Sequence, residues 1–337
     1  MKALFIGGTG IISSSISQLL PGMGWDLTLL NRGNHLERAG SGVYVLQGDI
    51  QDEAGVAKLV NNSGFFDVVV DFIAYRQDQV ERDIRLFQGH CDQFIFISSA
   101  SAYQKPPASW LITESTPLCN PYWQYSRDKA ACEHILMQAY RQKDFPVTIV
   151  RPSHTYGDWS IPLSIHGKKG PWQTISRMKE GKPVLVIGDG TSLWTVTHSR
   201  DFALGFIGLM GNVHAFGEAV HITSDEAMPW NQIYACIGQA TGVKPNLFHV
   251  STDALVARDP AFTGPLLGDK ANSVVFDNTK LKRLVPGFSA KIRFDQGIRT
   301  TLAWFEAHPE AQVADLEWDA WTDAVIASQA CRGQNHA

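Results

Sequence analysis

The chain has few cysteines and no long apolar run. Its five cysteines are scattered over 337 residues without a CxxC pair or a metal-ligand spacing, which predicts free thiols in a reducing compartment and no metal site. No apolar stretch approaches the roughly 18 residues of a membrane span. The first apolar run ends at Gly7 and is too short for a signal peptide. The sequence therefore predicts a cytoplasmic protein without membrane contact.

The chain also lacks a strong net charge. It has 29 Lys and Arg against 33 Asp and Glu, a formal net charge of -4 at pH 7, which gives no bulk attraction to nucleic acid or an anionic membrane. The composition, 44% hydrophobic and 18% charged, is that of a globular protein that can bury a large core. The overall charge therefore argues against nucleic acid as a partner, although a local basic patch is compatible with it.

Short apolar runs recur through the first half of the chain. They have strand length without strict alternation, as expected of parallel strands buried on both faces. They lie at 3–6, 26–30, 43–47, 67–73, 94–98 and 146–150. Segments with apolar residues at helical spacing, such as 53–62 and 132–142, separate them. This alternation predicts a doubly wound parallel α/β sheet of the Rossmann type.

After Arg151 the residues Gly, Pro and Trp become more frequent and the β-α alternation is less regular. We predict a Rossmann domain over 1–157 and a smaller C-terminal substrate-binding lobe over 158–337. Part of about 194–225 is expected to return and pack on the Rossmann domain. The stretch AWFEAHPE at 303–310 predicts a last helix before a polar tail.

Three glycines, Gly7, Gly8 and Gly10, lie between the first predicted strand and a predicted helix. Such a turn presents unpaired backbone N–H groups and the positive end of the helix dipole to a pyrophosphate. In GxxGxxG spacing Ser13 takes the third place, where a glycine normally lets helix and strand approach closely. We interpret the stretch as a cofactor turn, with a tight βα turn without a cofactor as the alternative.

The end of the second predicted strand, Asn31-Arg32, has no acidic residue for the ribose 2′-hydroxyl of NAD. Arg32 can pair with a 2′-phosphate, so NADP is favoured over NAD; the alternative is a solvated loop arginine. After the third predicted strand, Asp49 either accepts the adenine amino group or caps the helix that begins near Asp52.

The fifth predicted strand ends in serines, and Tyr125 and Lys129 follow in a predicted helix. An i, i+4 spacing puts the tyrosine and the lysine on one helical face. A phenol with a pKa of about 10 is a poor base at neutral pH unless a nearby cation favours its anion. Lys129 can supply that charge, and Ser99 can supply a hydrogen bond to a substrate oxygen. The alternative is a surface tyrosine beside a solvated lysine.

With these motifs in order, the chain resembles the extended short-chain dehydrogenase/reductases, also called the NAD-dependent epimerase/dehydratase family. The resemblance rests on GGTGII at 7–12, GDI at 48–50, SSASAY at 98–103, YSRDK at 125–129, RPSHTYGD at 151–158, IGDGTSLWTVTHSRDFA at 187–203 and the segment 277–305. It implies that Ser99 polarises the substrate oxygen and that Tyr125 is the acid/base. Lys129 would hold the nicotinamide ribose and lower the tyrosine pKa.

The resemblance also implies the other site residues and the reaction class. Cofactor-binding positions would be Gly7, Gly10, Ile11, Ile12, Asn31, Arg32, Asp49, Ile50, Ala74 and Lys129. Substrate-binding positions would be Ser101, His154 and Trp194. The expected activity is an NAD(P)-dependent oxidoreductase or epimerase that transfers a hydride at a secondary alcohol or ketone of a sugar, in particular a nucleotide sugar. A homodimer is a further analogy. The alternative is a noncatalytic NADP-binding redox sensor or an RNA-binding relative.

Departures from the family pattern lie on the substrate side. The segment 99–101 has no carboxylate where sugar 4,6-dehydratases carry a Thr-Asp-Glu run, so dehydration is less expected. Trp194 stands where many members place an arginine, and it either stacks on a base or sugar or packs in the lobe. His154 replaces the usual asparagine, and it either bonds to the substrate or is satisfied within the fold.

Overall fold

The computed structural model describes residues 1–334 and contains a seven-stranded parallel sheet. In spatial order the strands are β3 (Tyr44–Gln47), β2 (Asp26–Asn31), β1 (Lys2–Ile6), β4 (Phe66–Asp71), β5 (Cys91–Ile97), β7 (Val147–Pro152) and β11 (Ala219–Ile222). Their side chains are apolar on both faces because helices cover the sheet on both sides. The predicted doubly wound parallel α/β sheet is confirmed.

Helices cover the two faces of this sheet in separate groups. The helices are α1 (Ile11–Leu19), α2 (Glu53–Ser63), α3 (Gln77–Phe87), α4 (Gln124–Lys143) and α6 (Ser199–Leu209). On one face α1 and α6 contribute Ile16, Phe202 and Phe206 to a buried cluster. On the other face α2, α3 and α4 bury their apolar sides. At the carboxyl ends of the strands, where ligands of such sheets bind, the structure has an open cleft.

The remaining elements form a second layer with its own apolar core. Its strands are β6 (Leu111–Ile112), β8 (His154–Tyr156), β9 (Pro183–Ile187), β10 (Leu193–His198), β12 (Ala227–Pro229), β13 (Asn246–Val250) and β14 (Val275–Phe276). Its helices are α5 (Trp172–Lys179), α7 (Trp230–Thr241), α8 (Thr252–Arg258), α10 (Phe294–Ala307) and α11 (Leu316–Gln334). The short helix α9 (Thr279–Leu284) packs on the face of the large sheet that α1 and α6 cover.

The seventh strand of the large sheet, β11, lies much later in the sequence than the other six strands. β11 pairs in parallel with β7, with Ala219 opposite Ile149, and α6 packs beside α1. Residues 199–222 therefore complete a sheet that residues 2–152 begin. The division of the chain at residues 157 and 158 stays a prediction.

The expectation that 303–310 is the last helix is wrong. α10 ends at Ala307, and α11 follows over Leu316–Gln334. Trp318 and Val325 of α11 are buried in the core of the second layer, but acidic residues between them hide this apolar side in the sequence. The end of the polar tail, 335–337, lies outside the described residues. Within residues 1–334 no helix has the length and apolar character needed to cross a membrane.

Candidate active site

The glycine turn joins β1 to α1 in a conformation that only glycine adopts readily. Gly7 and Gly8 both have φ of +100°, and a Cβ on Gly8 would lie 2.5 Å from Leu29 Cδ2. Gly10 caps the N-terminus of α1, and its backbone N–H donates to Ser13 Oγ at 2.9 Å. Ser13 thus occupies the third motif position without opening the turn. The backbone N–H groups at the start of α1 face the carboxyl edge of the sheet.

A cleft of about 530 Å³ lies at the carboxyl ends of β1 to β4. Six of the ten predicted cofactor-binding residues line it: Gly7, Asn31, Arg32, Asp49, Ile50 and Ala74. Ile11 and Ile12 form the first turn of α1 instead, and Ile12 packs on the apolar core. The structure therefore brings six of the predicted cofactor-binding residues together and gives Ile12 a packing role.

The structure separates the two roles considered for Asp49. Asp52, not Asp49, caps α2 by accepting the Gly55 N–H at 3.0 Å. Asp49 is exposed, lines the cleft and accepts the Gln51 N–H at 3.0 Å. The helix-capping alternative for Asp49 is therefore wrong, whereas its contact with an adenine stays a prediction.

Basic side chains that the sequence reasoning missed also line this cleft. Arg76, Arg82 and His35 join Arg32 there, and Asp49 is the one acidic residue of the lining. Arg76 is exposed and pairs with Asp78 at 3.2 Å. The position of Arg76 just beyond the fourth apolar run is the signal that could have pointed to it. Arg82 is buried and pairs with Asp83 at 2.7 Å, so among the described residues Arg32 is the one arginine of this lining without a carboxylate partner.

Asp71 at the end of β4 fixes the loop between this cleft and Lys129. Its Oδ1 accepts the N–H groups of Ile73 and Ala74 at 2.6 and 2.7 Å. The carbonyl of Ala74 in turn accepts a hydrogen bond from Lys129 Nζ at 2.6 Å. A buried carboxylate therefore holds the main chain on which Lys129 rests.

The serines after β5 have distinct partners. Ser98 is buried and donates to Glu133 Oε1 at 2.5 Å. Ser99 Oγ lies 2.8 Å from Ser101 Oγ, and Ser126 donates to Ser101 Oγ at 2.8 Å. Ser99 and Ser101 line a cavity at the carboxyl edge, whereas Ser98 faces away from it. This distribution favours Ser99 over Ser98 as the serine that meets a ligand.

Tyr125 lies in the first turn of α4 and lines the same cavity. Its ring packs against Trp123 at 5.1 Å and Tyr75 at 6.4 Å between centroids. Burial raises the pKa of Tyr125; the Ser99 hydroxyl acts against this increase, and the Asp269 carboxylate adds to it. The phenol is therefore protonated at neutral pH.

Lys129 lies one turn further along α4 and is buried. Its Nζ donates to the carbonyls of Ala74 and Ile97 at 2.6 and 2.5 Å and lies 5.8 Å from the Tyr125 ring centroid. Burial lowers the pKa of Lys129 to about 8. Burial is the largest effect on the pKa of Tyr125 and raises it; the lowering of this pKa by Lys129 stays a prediction.

The cavity has a volume of about 340 Å³ and also contains His154 and Trp194. The Trp194 indole N–H donates to His154 Nδ1 at 3.2 Å. Burial lowers the pKa of His154 well below its usual value, so the ring is neutral with its proton on Nε2. Trp194 is 2% exposed and stacks on Trp230. The packing role considered for Trp194 is therefore the better supported one.

A buried charge network lies behind the cavity. Arg151 donates to both oxygens of Glu133, at 2.9 Å from Nε to Oε1 and 2.5 Å from Nη2 to Oε2. Arg151 Nη1 also donates to Tyr103 Oη at 3.1 Å, and Ser98 donates to the same carboxylate. This network joins α4, which carries Tyr125, to β5 and β7.

The family model for the NAD dependent epimerase/dehydratase family matches residues 3–222 of this chain. The chain belongs to the NAD-dependent epimerase/dehydratase family. The match covers the glycine turn, the strand-five serines and the Tyr125–Lys129 pair, so the resemblance in the sequence is confirmed. The matched residues end with β11, the last strand of the large sheet.

Individual relatives of this family member are distant. A 2′-dehydrokanamycin reductase of Streptomyces kanamyceticus is 23% identical over 86% of this chain and 81% of its own length. A chloroplast stem-loop binding protein of 41 kDa from Arabidopsis thaliana is 26% identical over 74% of this chain and 65% of its own length. A UDP-glucose 4-epimerase of Bifidobacterium longum, solved with NAD+ and UDP, superposes with a TM-score of 0.73 at 18% identity over 92% of this chain and its full length.

Two charged cavity residues of this epimerase/dehydratase-family chain, Lys105 and Asp269, were missed from the sequence. Lys105 precedes two prolines in a loop, and Asp269 lies in a π-helix over Thr263–Lys270. No motif links two residues so far apart in the chain.

Proposed function

We propose that the protein is an NAD(P)-dependent oxidoreductase or epimerase that transfers a hydride at a secondary alcohol or ketone of a nucleotide sugar. One observation carries this proposal: Ser99 and Tyr125 line a single cavity, and Lys129 of the same helix bonds to the loop that lines the cofactor cleft. The NAD+ and UDP bound to the structural neighbour support the same ligand classes.

The residues present fit a nicotinamide dinucleotide. The glycines leave room for a close approach to the turn, since a side chain at Gly8 would collide with Leu29. The start of α1 would offer backbone N–H groups to the pyrophosphate. The adenosine would lie in the cleft lined by Asn31, Arg32, Asp49, Ile50 and Ala74. Lys129 would bond to the nicotinamide ribose. The bound cofactor supplies or accepts the hydride.

The chain's own residues would handle the proton. Ser99 donates a hydrogen bond to the substrate oxygen and polarises it. Because burial keeps the Tyr125 phenol protonated at neutral pH, it is set to give its proton to a carbonyl oxygen while the neighbouring carbon gains a hydride. The reverse step returns the proton to Tyr125 and yields a ketone. The segment 99–101 offers no carboxylate for elimination, so a 4,6-dehydratase is less well supported.

A ligand screen tests this proposal. We expect UDP-, GDP- or dTDP-linked hexoses, added with NAD or NADP, to raise the unfolding temperature above that with the cofactor alone, because a ligand of the native state stabilises it. At least one of them should also change the nicotinamide absorbance or be converted to an isomer. A protein that binds the cofactor but neither binds nor converts any of these sugars would contradict the substrate class.

We further propose that the protein prefers NADP to NAD. Arg32, which lines the cleft and has no carboxylate partner among the described residues, suits a 2′-phosphate. Arg32→Ala should weaken NADP binding by about 1.5–3 kcal/mol, roughly 10- to 150-fold, and leave NAD binding unchanged. Titration calorimetry with both cofactors measures this. The control is Arg141→Ala, an exposed arginine in the last turn of α4. A wild type that binds NAD more tightly, with an unchanged ratio in Arg32→Ala, would exclude the preference.

A noncatalytic binding protein is the second candidate, because one relative bears the name of a stem-loop binding protein. Such a protein would bind NADPH, convert no nucleotide sugar and retain its cellular function as Tyr125→Phe. The presence of Ser99, Tyr125 and Lys129 around one site supports the enzyme instead. By analogy with the family, we also propose that the protein forms a homodimer. We propose, as in the sequence analysis, that it is cytoplasmic.

A further inference from the structure

Lys105 places a buried cation in the wall of the catalytic cavity. Its side chain is 0% exposed, and it lines the cavity together with Ser99 and Tyr125. Among the described residues, no group forms a hydrogen bond with its Nζ. A buried ammonium is normally hydrogen-bonded, because its removal from water is costly. The missing oxygen is one that a ligand in the cavity can supply.

Asp269 is the nearest carboxylate to this cation. Its Oδ1 lies 3.8 Å from Lys105 Nζ, which is beyond a normal hydrogen bond. Asp269 also lines the cavity, and its charge acts on the Tyr125 phenol. The pair therefore stands beside the reacting groups with space for an oxygen to bond to both side chains.

The backbone that carries Asp269 is held firmly against the cavity. Asn120 Nδ2 donates to the carbonyls of Ser101 and Gly268 at 2.7 and 2.6 Å, which ties the strand-five loop to the π-helix. A Cβ on Gly264 would lie 2.3 Å from Trp123 Cδ1, so the π-helix packs closely on the ring beside Tyr125. π-helices recur at functional sites. Asp269 is thus fixed relative to Tyr125.

We propose that Lys105 and Asp269 together bind a hydroxyl group, or two adjacent hydroxyls, of an uncharged sugar ring and so select the substrate. This assignment rests on the proposed function, whose site it completes. A hydroxyl is both a donor and an acceptor, so it can donate to Asp269 and accept from Lys105. Ser99 and Tyr125 then meet the reacting oxygen of the same ring.

The charge of the pair argues for an uncharged ring. Burial lowers the pKa of Lys105 and raises the pKa of Asp269. In each case the opposite charge of the partner counteracts the effect of burial. A sugar carboxylate would be attracted by Lys105 and repelled by Asp269, and it would gain no net advantage over a hydroxyl. The pair therefore favours neutral hexoses over uronic acids.

Two variants with opposite charge changes test this inference. Lys105→Met keeps most of the side-chain volume but leaves the Asp269 carboxylate without the Lys105 charge. Asp269→Asn leaves the Lys105 ammonium without the Asp269 charge. The probes are UDP-glucose, UDP-glucuronic acid and UDP, measured by calorimetry with saturating cofactor; GDP- or dTDP-hexoses replace them if the wild type binds those instead. Lys58→Met, at an exposed position in α2, is the matched control. Cofactor affinity and unfolding temperature show that each variant is folded.

We expect Lys105→Met to weaken UDP-glucose binding roughly 10- to 100-fold, the usual effect of losing a charged hydrogen bond, and to leave UDP binding unchanged. The ratio of UDP-glucuronic acid to UDP-glucose affinity should fall in Lys105→Met and rise in Asp269→Asn. A merely structural pair would not move this ratio in opposite directions.

The outcomes separate this inference from the proposed function. If the wild type binds the neutral sugar and both variants keep its affinity and its ratio, the assignment of Lys105 and Asp269 is wrong and the proposed function stands. If both variants move the ratio in the same direction, the assignment is wrong as well. If the wild type binds none of the nucleotide sugars, the proposed substrate class fails and this inference fails with it.

Discussion

Tyr125→Phe is expected to lower kcat by about 10²- to 10⁴-fold, the usual contribution of a positioned general acid or base. The variant removes only the phenolic oxygen from the cavity wall. The ring contacts with Trp123 and Tyr75 remain, so folding and cofactor affinity should not change. Steady-state kinetics on the sugar found in the ligand screen, together with cofactor titration, measure the effect.

The matched control for this variant is Tyr122→Phe. Tyr122 is 41% exposed and does not line the cavity, so its hydroxyl should be dispensable and kcat should stay within twofold. Full turnover by Tyr125→Phe would show that another group moves the proton. In that case the proposed mechanism would have to be abandoned, although the cofactor cleft would be unaffected.

Glu133→Gln is expected to lower the free energy of unfolding by about 3–5 kcal/mol, because it leaves Arg151 buried without its counter-charge. Arg151 and Glu133 are 5% and 3% exposed, and the pair is bidentate. The Glu133 carboxylate holds the pKa of Arg151 above its usual range despite burial. Ser98 would also lose a charged acceptor. Urea unfolding followed by circular dichroism measures the loss.

Glu81→Gln provides the comparison, since Glu81 is exposed on α3 and should change stability by no more than about 0.5 kcal/mol. A loss below about 1 kcal/mol for Glu133→Gln, the value of a surface pair, would mean that the network is solvated and does not hold α4 against β5 and β7. The position of Tyr125 would then need another explanation.

The sheet and the chemical motifs could be predicted because their signals are local. Each apolar run of the first half became a strand, since burial on both faces selects a continuous run of Val, Ile, Leu and Phe. The glycine turn and the Tyr125–Lys129 spacing depend on residues close in sequence. The end of the fifth run likewise locates a group of serines, among which the resemblance to the family selects Ser99.

The parts that could not be predicted depend on contacts between distant segments. Lys105 and Asp269 come from distant segments, and Asn120 ties the strand-five loop to the π-helix that carries Asp269. The role of Trp194 depends on Trp230, which stacks on its ring. The pKa of Tyr125 depends on how deeply the phenol is buried, which spacing along α4 does not reveal.

β11 lies late in the sequence, at Ala219–Ile222, so the large sheet cannot be completed until these residues have been synthesised. Until Ile222 has left the ribosome, β7 is an open edge with unpaired backbone groups, and the core beneath α1 lacks Phe202 and Phe206. Strands that are far apart in sequence pair slowly, and the apolar surface that they will bury stays exposed until they pair. The glycine turn is synthesised first, but the helix α1 that follows it gains its packing against α6 only late in synthesis.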